Sequence, residues 1–312
     1  MAYKKTSGKY TSTNGVNQIS YYIYEPEGEI KGMMQISHGM CEYIERYEPH
    51  IDFFTSQGFL VFGNDHLGHK GSVATDNDLG YMGSKDGWKM MYEDVHKLSV
   101  KMREEHQDLP LILFGHSMGS FIARAVIANY GKEYDGAIIC GTGGTNKMIS
   151  MGLKMIHLVR KVKGERHRSK LLTKLSFGNY NKKYDNVRTE FDWLTNDEHV
   201  VDVYMKDKYC MFTFTAAGYE DLLSVLNYVS QDSWYDAIPQ ELPILLISGD
   251  MDPVGDWGNG VREVDSRLRE RSHTEYQMKL YPNLRHEILN EKEEDRRKVY
   301  QDMLEFLQRR CK

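Results

Sequence analysis

Residues 111–130, LILFGHSMGSFIARAVIANY, constrain the fold more than any other stretch of the chain. The apolar run 111–114 follows Pro110 and reads as a strand buried on both faces. Phe121, Ile122, Ala125, Val126 and Ala128 then recur at helical spacing. Between the two lies Gly115-His116-Ser117-Met118-Gly119. The pentapeptide pattern alone arises by chance in roughly one chain in ten of this length. Its context makes it specific. A serine between a buried strand and a helix sits in a strained backbone turn with its hydroxyl exposed. Glycines at 115 and 119 keep side chains out of that turn and allow close packing.

Other short apolar runs repeat the strand pattern: 21–24, 33–36, 58–62, 137–140, 244–247 and 276–281. Helical patterns separate them, over 43–54, 91–102 and the C-terminal segment carrying Val299, Met303, Phe306 and Leu307. Strand–helix–strand alternation predicts a mostly parallel sheet with helices on both faces. The rhythm breaks over residues 143–234, where no strand pattern and no proline occurs. Residues 147–185 hold 11 Lys and Arg against Glu165 and Asp185, a net of +9. Residues 186–221 hold 3 basic and 8 acidic residues, a net of −5. The expectation is an α/β core of residues 1–142 and 235–312, interrupted by a helical cap at 143–234.

The whole chain carries −5, from 40 Lys+Arg against 45 Asp+Glu, which excludes a globally basic nucleic-acid binder. Cys41, Cys140, Cys210 and Cys311 are widely spaced, so neither a zinc site nor a redox dithiol is expected. The N-terminal residues lack an apolar run after their lysines, and no apolar stretch has membrane-span length. A cytoplasmic protein with reduced thiols is the expectation.

A serine hydroxyl needs a base to take its proton, and the base needs a carboxylate to orient it. On this kind of sheet the order is serine, acid, histidine, each after a later strand. After the run 244–247 come Asp250 and Asp252; after 276–281 comes His286. His273 precedes its strand, at the opposite end of the sheet, and His116, adjacent to the serine, is expected to point elsewhere in the turn. Asp252, farther along its loop and stiffened by Pro253, is the expected acid, with Asp250 the alternative. A developing oxyanion needs fixed backbone N–H donors. Met118 follows the serine, and Met40 lies in the loop after 33–36, where Gly39 lets the backbone approach substrate.

These residues resemble the α/β-hydrolase superfamily, and within it the monoacylglycerol lipase and lysophospholipase-like serine hydrolases. The resemblance rests on His38-Gly39 with Glu42 and Arg46-Tyr47, Asp65-His66 with Gly68-His69, Gly115 to Gly119, Asp252 and His286. Phe191-Asp192-Trp193-Leu194-Thr195 and Phe212-Thr213-Phe214-Thr215 resemble the cap of bacterial members. The resemblance implies an eight-stranded sheet under a helical cap. It also implies hydrolysis of carboxylic esters without metal or cofactor, often glycerolipids with one acyl chain. Members of this group usually carry a small residue where Met40 stands, so a different pocket entrance is expected. His66 and His69 have the spacing of a metal pair but no evident carboxylate-supported third ligand, so a structural turn is expected.

The cap helix brings Met148, Met151, Met155, Leu158 and Val162 onto one face, with Lys147, Lys154, Arg160, Lys161 and Lys163 beside it. Packing on the sheet domain is the first expectation for that face. Contact with an acyl chain is the second, and transient lying on an anionic membrane surface the third. Met is a flexible apolar lining, and the chain has 17. A peptidase or amidase, and a ligand-binding module without activity, are the competing functions.

Overall fold

The computed structural model describes residues 3–311. Its sheet has eight strands: β1 (Tyr3–Thr11), β2 (Gln18–Pro26), β3 (Gly32–Ser37), β4 (Phe59–Asn64), β5 (Leu111–His116), β6 (Gly136–Cys140), β7 (Ile244–Gly249) and β8 (Tyr276–Tyr281). Their spatial order is β1-β2-β4-β3-β5-β6-β7-β8. β1 runs antiparallel to β2 from Tyr3↔Pro26 to Thr11↔Gln18, and β2 antiparallel to β4. From β4 onward all pairs are parallel.

The seven apolar runs each fall in a strand, β2 to β8. β1 escaped the sequence pattern because YKKTSGKYT is polar on both faces and mostly exposed. It is an edge strand whose lysines discourage further pairing.

Helices α1 (Glu48–Ser56), α2 (Gly87–Glu105) and α3 (Met118–Tyr130) belong to the first half. The helix expected over 43–54 is broken: a 3₁₀ turn covers Ile44–Tyr47, and α1 starts where Pro49 fits its first turn. Between β6 and β7 lie α4 (Ile149–Lys163), α5 (Lys170–Phe177), α6 (Glu198–Tyr204), α7 (Ala216–Val229) and α8 (Asp232–Ala237). Helices α9 (Asn259–Glu270) and α10 (Glu293–Arg310) complete the chain. On one face of the sheet Met91, Val95, Ile122, Val126, Leu113 and Leu246 form a core. On the other, Phe54, Phe114, Ile247, Met303 and Phe306 do so.

The methionine face of α4 does not pack on the sheet domain. Ile149 and Ile156 are buried instead, and Gly152 lets Leu223 of α7 approach. Met148 and Met151 are 56% and 54% exposed, Met155 36%, Leu158 62% and Val162 66%. α4 therefore has two apolar faces, and periodicity alone picked the unburied one.

The segment before α4 and the end of α7 meet one side chain. Arg124 of α3 is fully buried. It donates to Thr142 Oγ1 (3.3 Å) and Gly143 O (2.9 Å) before α4, and to Val229 O (2.6 Å) at the end of α7. Its guanidinium lies 4.2 Å from the Trp234 ring centre, and Trp234 Nε1 donates to Arg124 O. Burial, with no carboxylate bonded to it, pulls the Arg124 guanidinium down to about 10.

Candidate active site

The β5–α3 turn puts Ser117 at φ 55°, ψ −123°, a conformation uncommon for a residue with a side chain. Its N–H donates to Cys140 O (3.0 Å), tying the turn to the end of β6. Both flanking glycines are required by contact. A Cβ on Gly119 would enter the carbonyl oxygens of Ser37 and His38. A Cβ on Gly115 would lie 2.6 Å from the Ala123 Cβ. A Cβ on Gly39 would lie 3.0 Å from the Ser117 Cβ, so the loop after β3 passes directly over the serine. Met40 is half-buried in that loop, and Met118 opens α3, where N–H groups have no partner within the helix.

His286 and Asp252 lie at 1% and 0% exposure. His286 Nδ1 is 2.9 Å from Asp252 Oδ2. Asp252 also accepts from Val254 N (2.8 Å) and Ser248 Oγ (3.2 Å), which fix its carboxylate. Asp250 is directed elsewhere and accepts from Asn283 N (2.7 Å). A Cβ on Gly141, the residue after Cys140, would stand 3.1 Å from His286 Cε1. The end of β6 thus touches both the serine turn and the histidine. His273 is turned toward Tyr235 O, near α8.

A buried charged cluster lies beneath. Glu42 Oε1 accepts from Gly39 N (2.5 Å) and Tyr47 Oη (2.8 Å), and is 3.1 Å from His116 Nδ1. Arg46 bonds Glu42 Oε2 (2.9 Å) and grips both oxygens of Glu287 (2.8 and 2.7 Å). Burial works against the charge on Glu42. His116, then Arg46, nevertheless hold its carboxyl well below the ordinary value. Burial likewise opposes charge on His116, but the Glu42 hydrogen bond and charge outweigh it and raise His116. Glu287 follows His286 and Glu42 follows the Gly39 loop, so one guanidinium joins the two. Sequence reasoning named Glu42 and Arg46 only through resemblance, and missed Glu287.

The histidine-rich turn is structural in its contacts. His66 Nε2 meets Ser37 Oγ (3.0 Å), His38 Nε2 accepts from His66 N (2.8 Å), and His69 Nδ1 faces Leu67 O (3.2 Å). Burial lowers all three. Ser72 Oγ donates to Asp65 O and accepts from Ser20 N, binding the turn to β2.

The sheet order, the antiparallel pair at one edge and the serine turn after β5 are those of an α/β-hydrolase. The family model described as serine aminopeptidase, S33 (Hydrolase_4) matches residues 28–293, and the chain belongs to that family. It is 26% identical over 291 residues, 93% of each chain, to a monoacylglycerol lipase of Mycolicibacterium smegmatis. It is 28% identical over 135 residues, 40% of each chain, to a monoglyceride lipase of Homo sapiens. Among solved structures it resembles a highly thermostable carboxyl esterase from Bacillus coagulans in complex with glycerol. That likeness has a TM-score of 0.91 and 29% identity over all of both chains. Among the described residues no helix is long and apolar enough to cross a membrane.

Proposed function

We propose that the protein is a carboxylic ester hydrolase in which Ser117, His286 and Asp252 act as a catalytic triad on lipid-like esters with one acyl chain. The 2.9 Å contact of His286 with Asp252, linked through the end of β6 to a serine held at φ 55°, carries the reading. The lipase and esterase relatives support the ester chemistry. Ser117 Oγ attacks the ester carbonyl while His286 takes its proton. The N–H groups of Met40 and Met118 receive the oxyanion, with Gly39 leaving room for it. His286 returns the proton to the leaving alcohol, and water then releases the acid. Asp252 orients His286 and stabilises its charged form. Residues 143–234 act as the cap over a core of 1–142 and 235–312. Fluorophosphonate labelling tests the site: Ser117→Ala should lose it, and equal labelling of both proteins would sink the assignment.

The family description favours comparing an amide reading, because the same triad serves both acyl transfers. Monoacylglycerol and lysophospholipid-type esters should turn over far faster than aminoacyl amides.

The exposed face of α4, continued by Leu171 and Leu175 of α5 at 54% and 60% exposure, is assigned here to a transient contact with an anionic lipid surface. Lys147, Lys154, Lys161, Lys163, Lys170 and Lys174 supply the complementary charge. Met148, Met151 and Met155 then meet lipid as it enters. Anionic vesicles should sediment the protein in a salt-dependent way, and Leu158→Ser with Val162→Ser should reduce this. Concentration-dependent dimers that vanish in the same variant would instead assign the face to a second copy.

A further inference from the structure

Two rings lie close to the His286 imidazole. The His116 ring centre is 4.8 Å away at 40°, and the Trp193 ring centre 5.0 Å away at 40°. Trp193 belongs to the inserted segment, yet it is fastened to the histidine loop. His286 N donates to Trp193 O (3.3 Å) and Glu287 N to Leu194 O (2.7 Å). Arg285 Nη1 donates to Asp192 O and to Thr195 O (3.1 Å). Glu291, fully buried, accepts from Arg285 N (2.8 Å) and Asn196 N (2.9 Å). Tyr180 braces the indole edge-on at 4.8 Å.

The charged groups around His286 make this contact consequential. The Asp252 carboxylate faces Nδ1, where an imidazolium would carry its charge. His116, held by Glu42, approaches from β5, and any positive charge there opposes it. Glu287 is paired with Arg46, which Glu42 shares. A cation within about 6 Å of an aromatic centre is attracted to its π face, most strongly for Trp.

We propose that Trp193 is a positioning residue for His286, whose indole supports the imidazolium that His286 carries during acyl transfer. This rests on the triad reading above. The part of the cap around residues 192–196 is thereby a fixed wall of the active site.

The test is kcat/KM against pH on a short p-nitrophenyl ester, using the full chain. Trp193→Leu should move the acid limb down by about 0.5–1.5 pH units and lower the plateau on the order of 5–30-fold. Trp193→Phe should keep most of both. An unmoved limb would overturn the inference. An upward shift would also do so, since water entering the space favours the charged histidine by hydration. Should the Leu variant fail to fold, fluorinated tryptophan keeps the shape and drains the π face. Its limb should fall with each added fluorine in the wild-type sequence and stay fixed in Trp193→Phe. Ser117→Ala separates the two readings: residual turnover there fails the triad, whereas a dead Ser117→Ala with an unmoved Trp193→Leu limb fails only this inference.

Discussion

Arg46→Gln is the most informative single change outside the triad. The guanidinium is the shared partner of Glu42 and Glu287, each of which has a side chain only 4% exposed. The glutamine leaves Glu287 without its cation and Glu42 with His116 as its remaining partner. Breaking a buried pair from one side costs about 3–5 kcal/mol. Unfolding entropy scales with chain length, so for 312 residues that loss lowers Tm by about 5–8 °C. Urea unfolding and a thermal melt measure it, and added salt should change the loss little, because buried pairs are weakly screened. The pH dependence fixes the cause. Glu42 has a depressed carboxyl, so its stabilisation is present above the unfolded value and is lost as pH falls through the folded one. Without Arg46 its pKa rises, so the deficit should be larger at about pH 8 than at about pH 5. Activity should fall as well, since the same side chain joins the Gly39 loop to the His286 loop. A loss below about 1 kcal/mol, or one that grows as pH falls, would refute the reasoning.

Gly119→Ala should abolish activity and cost more than about 4 kcal/mol, because its Cβ enters the carbonyls of Ser37 and His38; urea unfolding checks it. Asp252→Asn should lower kcat by about 10⁴ with little change in Tm, while Asp250→Asn should keep most activity. Asp221 of α7 accepts from Trp88 N (3.1 Å) at the start of α2, and burial pushes it up to about 7. A carboxyl raised in the folded state erodes stability as pH climbs from the unfolded value toward 7. Asp221→Asn should therefore gain about 2–4 kcal/mol at about pH 8 relative to about pH 4, read by urea unfolding.

Strands buried on both faces were legible because apolar residues must fill both sides, as in LILF of β5 and ILLI of β7. β1 was not, since an exposed edge strand has no such demand. The proposed order Ser117, Asp252, His286 rests on the runs that precede each residue. Of the two aspartates, Asp252 favoured by loop position and Asp250 its alternative, Asp252 is the one in contact with His286. What stayed hidden depends on distant pairing. Nothing in a window around Glu287 announces Arg46, 241 positions away. Trp193 likewise reads as one aromatic in a cap pattern until its carbonyl is seen holding His286 N. The α4 methionines show the opposite failure: the periodicity was real, but the helix had a second apolar row that the fold preferred.

Arg124 has a consequence for how such a chain can diversify. One guanidinium spans Gly143 O and Val229 O, so the chain entering α4 and the chain leaving α7 lie at neighbouring points on α3. The distance between those points is set by the sheet domain and is indifferent to what is strung between them. A foreign helical cassette grafted from 144 to 228 leaves the Gly143 and Val229 carbonyls in place on Arg124. The serine turn then stays where the sheet puts it, while the histidine loop has to be fastened anew, as residues 192–196 fasten it here. The cassette has to bring its own counterpart of Trp193.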